Sequence, residues 1–129
     1  MSAATAARRG VPQSKPIEWM GDSLGRVSEF PLDVKRVIGF GLRQAQDGGR
    51  HVNAKPLGDH IEVVADFDGG TYRGVYTVKL KGKVYVLHCF QKKAKRGIAT
   101  PQSDLKLIDK RYKEAKTLHD AWEKENAKG

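Results

Sequence analysis

Apolar residues first recur with a period of two at Ile17 and Trp19, which alternate with Pro16 and Glu18 and predict a short strand within residues 15–20. The period then lengthens. Leu24, Val27 and Phe30 are spaced to make one apolar face of a short helix, which Asp22 or Ser23 can cap. Pro31 stands where proline is best tolerated, in the first turn of a second helix, along which Val34, Val37, Ile38 and Leu42 repeat at helical spacing. Gly39 and Gly41 each weaken that helix by about 1 kcal/mol relative to alanine, a cost that close packing against the first helix or a sheet would offset. Gly48-Gly49 ends it. Residues 50–60 show no sustained period and read as an exposed loop. Three strands follow: 61–67, closed by Asp68-Gly69-Gly70; 72–80, closed by Lys81-Gly82-Lys83; and 84–91, the most apolar segment and so a central strand.

After a basic, glycine-containing loop at 92–99, Thr100 and Pro101 read as the N-cap and first residue of a last helix. Its apolar stripe is Leu105, Ile108, Tyr112, Ala115 and Trp122. The order β-α-α-β-β-β-α predicts an α+β domain, a curled and mainly antiparallel four-stranded sheet with helices covering one face. Residues 16–122 form this single domain, between a disordered tail at 1–15 and a frayed one at 123–129.

Charge changes the picture most. Twenty-four Lys and Arg against 15 Asp and Glu leave the 129-residue chain at +9, with a pI near 9.8. Its partner should be polyanionic: nucleic acid, an anionic membrane surface or an acidic protein. Cys89 is the only cysteine, which excludes an intrachain disulfide and argues against cysteine-based zinc. His51, His60, His88 and His119 fall into no zinc spacing, and the carboxylates into no two-metal cluster, so neither metal nor cofactor is expected. Nucleophile-elbow, phosphate-loop and dinucleotide motifs are all missing. No apolar run approaches the ~18 residues of a membrane span, and the first 15 residues lack the apolar core of a secretory signal. A cytoplasmic protein with no membrane partner is expected.

Two groups of residues can carry chemistry. Alternation in the strand at 72–80 puts Tyr72, Gly74, Tyr76 and Val78 on one face and Arg73, Val75, Thr77 and Lys79 on the other. An arginine inside a central strand needs a partner. Glu62 or Asp66 on the neighbouring strand is one solution; a ligand phosphate, gripped by a rigid fork of donors, is the other. The second group runs from His88 to Arg96. Lys92, Lys93, Lys95 and Arg96 place four cations within five residues, directly after Phe90 and Gln91. Such cations repel one another unless an anion visits, and an aromatic ring offers a base a surface to stack on. His88 shares a strand face with Phe90 and Lys92, so it is either a proton shuttle or a partly buried structural histidine.

Taken together, these segments are similar to a known family. Thr71-Tyr72-Arg73-Gly74-Val75-Tyr76, Val84-Tyr85-Val86-Leu87-His88 and Phe90-Gln91-Lys92-Lys93 resemble the phage-derived, HigB-like branch of the RelE/ParE toxins. Lys55-Pro56-Leu57-Gly58 upstream and Gly97-Ile98-Ala99-Thr100-Pro101 downstream fit the same pattern, and the likeness spans roughly residues 17–118. The resemblance implies a RelE-like fold and the toxin of a type II toxin–antitoxin system. Such a toxin is a metal-independent endoribonuclease that cuts mRNA in the ribosomal decoding site, the ribose 2′-hydroxyl attacking the adjacent phosphate to leave a cyclic phosphate.

By matching position, the resemblance makes Arg73 the holder of the scissile phosphate, Lys55 the loop lysine, and Lys92 and Lys93 the basic residues after the last strand. Lys55, Lys93 and His88 are then the candidates for proton transfer, and Lys79, Phe90, Gln91, Lys92, Lys95 and Arg96 line the RNA path. The implied partners are mRNA, the ribosome and a small acidic antitoxin with a helix-turn-helix. Some relatives carry a catalytic tyrosine near the C-terminus; Tyr112 here lies on the apolar stripe and reads as a core residue. The competing reading is a non-catalytic binding module on the same scaffold, as in the gyrase-poisoning ParE relatives, or an inactive phage-derived relative.

Overall fold

In a computed structural model describing residues 14–92 and 100–127, the chain forms eight elements. They are β1 (Ile17–Trp19), α1 (Ser23–Ser28), α2 (Leu32–Gln46), β2 (Ala54–Leu57), β3 (His60–Phe67), β4 (Gly70–Thr77), β5 (Val84–Lys92) and α3 (Gln102–Ala127). The strands make one sheet in the order β1-β5-β4-β3-β2. β1 runs parallel to β5, and every other neighbour is antiparallel.

The sheet therefore has five strands where four were expected. The extra strand is β2, inside the stretch that reads as a loop. It is four residues long, too short to show alternation, and it carries Pro56, which only an edge strand tolerates well. Gly58, at a φ of 56°, turns the chain so that Leu57 meets His60 across a tight hairpin. The central strand β4 stops at Thr77, short of the expected Leu80.

The helices also divide differently. Val27 of α1 and Val34, Ile38, Leu42 and Ala45 of α2 pack on one face, against Ile61, Val63, Ala65, Tyr76, Val84, Val86 and Cys89. On the opposite face Ile108 and Ala115 of α3 pack against Met20, Val75, Tyr85, Leu87 and Phe90. Helices thus cover both faces, because β5 is buried from Val84 to Phe90 without a polar-facing side. A strand apolar on both faces needs cover on both. α3 is held further along by the Tyr85 hydroxyl, 2.9 Å from His119 Nδ1.

A bulge resets the alternation of β5. Tyr76 pairs with Val86 but Val75 pairs with His88, leaving Leu87 as the extra residue. Val84 and Val86 face α2, whereas His88 and Phe90 face α3.

The two mid-helix glycines of α2 prove unlike each other. A Cβ on Gly41 would lie 2.6 Å from Val63 Cγ2, so Gly41 is what lets α2 sit down on β3; around Gly39 there is nothing within 4 Å. Gly41→Ala should destabilise the fold by about 1–3 kcal/mol through overpacking. Gly39→Ala should stabilise it by up to about 1 kcal/mol through helix propensity. Equilibrium urea unfolding checks both, and equal effects of one sign would contradict this division of roles.

Candidate functional site

Strand pairing arranges side chains in rows across the face that α3 partly covers, since opposed residues of antiparallel strands share a face. One row runs Lys55, Glu62, Val75, His88 across β2, β3, β4 and β5. The next holds Val64, Arg73 and Phe90, and a third holds Asp66, Thr71 and Lys92. α3 lies over the His88 end of the first row, while Lys55 stands exposed at its other end. The register thus brings Lys55, Arg73 and Lys92 into adjacent rows around Glu62.

Arg73 finds its partner in Glu62, not Asp66. Its Nη1 lies 2.8 Å from Glu62 Oε1, with the two side chains 10% and 4% exposed. Asp66 instead accepts a hydrogen bond from Thr71 Oγ1 at 3.0 Å. The pair is close but incompletely satisfied. The Arg73–Glu62 contact lacks hydrogen-bond alignment, and both Arg73 Nε and Glu62 Oε1 are buried without a hydrogen-bond partner. Buried ion pairs repay their desolvation only when the remaining donors and acceptors are also used. Lys92 is buried as well, and its ammonium is pushed below the ordinary lysine pKa, first by burial and next by the Arg73 charge. Glu62 opposes that shift and Lys55 adds to it. Three cations around one carboxylate leave excess positive charge, suited to a phosphate.

The other predicted site residues are placed as follows. His88 is committed on both ring nitrogens: Nε2 is 2.8 Å from Asp104 Oδ1, and Nδ1 is 3.4 Å from Arg111 Nη1. Its ring also stacks on Phe90 at 4.7 Å, so neither ring is open to a base. Gln91 pairs with Tyr72 and faces α2, away from Arg73. Lys79 lies beyond the far end of β4, 3.6 Å from Asp59 and over the Tyr112 ring. Lys93, Lys95 and Arg96 lie outside the described residues. Tyr112 packs against the α3-side core and edge-on to His60, as its place in the stripe predicts.

Sequence reasoning missed the network that fixes His88. Arg111 is buried in α3, where its Nη1 donates to the Leu87 carbonyl at 3.0 Å and its Nη2 to Asp22 Oδ1 at 2.7 Å. Asp22 also accepts from Arg26, and Arg26 and then Arg111 hold its carboxyl down to about 2. A cation on a charged helix reads as solvent-facing. The available signal was spacing, since Ile108, Arg111, Ala115 and His119 share one helical face and are the buried positions of α3. Burial pushes the Cys89 thiol up to about 12, which leaves it inert. Among the described residues no group of three or more His, Cys, Asp or Glu gathers to hold a metal, and no helix is long and apolar enough to cross a membrane.

Fold and charge define a class: a small basic α+β domain with a cation-rich sheet face. Residues 26–113 match the family described as "Phage derived protein Gp49-like (DUF891)", and the chain belongs to it. That family is part of the RelE/Gp49 superfamily of toxins associated with toxin–antitoxin systems. No curated protein matches the chain.

The network has a pH consequence. Burial, partly opposed by Asp104, lowers the His88 pKa from its ordinary 6.5, so the folded state favours neutral imidazole. Unfolding then takes up a proton below pH 6.5, and the stability that His88 contributes is complete above that value and declines as pH falls beneath it. NMR titration of the His88 ring should show its midpoint below 6.5. A midpoint above that value would mean that Asp104 outweighs burial.

Proposed function

We propose that the protein is the toxin of a type II toxin–antitoxin system, a metal-independent endoribonuclease that cuts mRNA on the ribosome. The observation that carries this reading is the Arg73 guanidinium, fixed on a central strand beside Lys92, with a buried Nε–H that no protein atom accepts. Attack by a ribose 2′-hydroxyl builds negative charge on a five-coordinate phosphorus. Cations already held in place stabilise that charge without reorganising. Arg73 serves as the phosphate fork, with Lys92 beside it and Lys55 at the open end of the row. Lys93, Lys95 and Arg96, continuing the chain from β5, and the more distant Lys79 serve as contacts to the RNA backbone.

Membership of a family associated with toxin–antitoxin systems supports an antitoxin partner, and the +9 charge favours an acidic one, since oppositely charged surfaces associate quickly. A ribosome-directed toxin acts in the cytoplasm. The resemblance of residues 71–76 and 90–93 to the HigB-like branch favours that branch.

Arg73→Lys is the informative variant, because it keeps a positive charge beside Glu62 and removes only the planar fork. Its cleavage of reporter mRNA, mapped by primer extension in a translating extract, should fall by about 10²-fold or more. Growth arrest on expression should weaken accordingly, with the circular dichroism spectrum unchanged. Undiminished cleavage would remove Arg73 from the site. Intact message together with persistent arrest would favour a non-catalytic binder.

A further inference from the structure

We infer that Glu62 is a catalytic residue, whose carboxylate takes the proton of the attacking ribose 2′-hydroxyl while Arg73 holds the adjacent phosphate. The inference rests on the ribonuclease reading above and deepens it. Two unsatisfied atoms of opposite kind sit on one ion pair. Arg73 Nε is a buried donor without an acceptor, and Glu62 Oε1 is buried 2.8 Å from Arg73 Nη1 without an aligned hydrogen bond. An RNA linkage presents the complementary pair on neighbouring groups: a 2′-hydroxyl that donates and a phosphate oxygen that accepts. A DNA linkage supplies only the acceptor and would leave Glu62 unsatisfied.

The neighbouring groups are less suited to the role. His88 has both nitrogens engaged, by Asp104 and Arg111, and is stacked against Phe90. Lys55, opposite Glu62 in the register, stands exposed at the open end of the row, and Lys92 stands two rows away from Glu62. Glu62 is the carboxylate in the row between Lys55 and Val75, on the phosphate arginine itself. Both unsatisfied atoms are screened from solvent in the free protein, so entering RNA must open the pair. A phosphate does so by competing with the carboxylate for the same guanidinium.

The step balances. The O2′–H bond breaks and its proton goes to a Glu62 carboxylate oxygen. The O2′ electron pair forms a bond to phosphorus, the P–O5′ bond breaks with its electrons on O5′, and that oxygen takes a proton from the Lys92 ammonium. The products are a 2′,3′-cyclic phosphate and a free 5′-hydroxyl.

The test is single-turnover cleavage of reporter mRNA on purified ribosomes by wild type, Glu62→Gln and Glu62→Asp, across pH. Glu62→Gln is near-isosteric and keeps an oxygen for Arg73. It should cleave about 10²–10⁴-fold more slowly than wild type and lose the acid limb of the pH–rate profile. Its binding to message carrying a 2′-deoxy nucleotide at the cleavage site should be no weaker than that of wild type, since no hydroxyl is there to lose and the phosphate meets a weaker competitor for Arg73. Glu62→Asp should recover part of the rate and the acid limb. A Glu62→Gln rate within about twofold of wild type overturns the assignment. So does a slow variant whose RNA binding falls in proportion, which would make Glu62 a mere counter-ion. The wild-type profile is a check that needs no folded variant, and the lack of an acid limb there also overturns it. Wild-type protein that cuts no message overturns the ribonuclease reading beneath; cutting by wild type and Glu62→Gln alike overturns this inference alone.

Discussion

The structure depends on one strand that tolerates water on neither side. β5 is buried without interruption from Val84 to Phe90, so both faces of the sheet around it must be dry. That requirement recruits α1 and α2 on one side and α3 on the other. β1, running parallel, closes the remaining edge of β5 with three paired residues. α3 is one helix on a five-stranded sheet and cannot cover its whole face. What it leaves uncovered is the side towards β2, where Lys55 stands exposed.

On that same face charge replaces apolar packing. The Arg73–Glu62 pair is nearly as buried as the aliphatic core, yet Arg73 Nε and Glu62 Oε1 make no aligned hydrogen bond. Pairs of this kind seldom add stability over well-packed apolar residues of similar volume. Lys92 compounds the strain on the local electrostatics, since burial and Arg73 both work against its charge. The Asp22–Arg111–His88–Asp104 network is the contrasting case. There the histidine has a partner on each nitrogen, and the side chains join α1, β5 and α3 into one unit. The first cluster keeps buried polar atoms without a hydrogen bond, whereas the second pairs the histidine at both nitrogens.

Much of this was legible in the sequence because it rests on local periodicity. Both early helices, the three long strands and the last helix follow from spacing alone. β2 did not, because four residues with a proline carry no period. The one-sided helix layer was wrong for a reason already visible in β5, whose apolar residues fall on both faces and call for two covers. Alternation placed Arg73 and named Glu62 as one of two partners, but only the register of β3 on β4 could choose between them. The phase of β5 was out of reach, because the bulge at Leu87 leaves no mark in the residues. Arg111 went unnoticed because helical spacing was weighed for apolar residues and not for the cation between them.

The covering of β5 by α3 also sets an order of events during synthesis. Everything through β5 leaves the ribosome before α3 does, and until then the face holding Tyr85, Leu87 and Phe90 has no lid. The contacts that close it join residues distant in sequence, such as Asp22 with Arg111, so they form late. A chain interrupted within residues 93–107 would expose an apolar strand without the helix that makes it a domain, and would be a substrate for proteases and chaperones instead of an active protein.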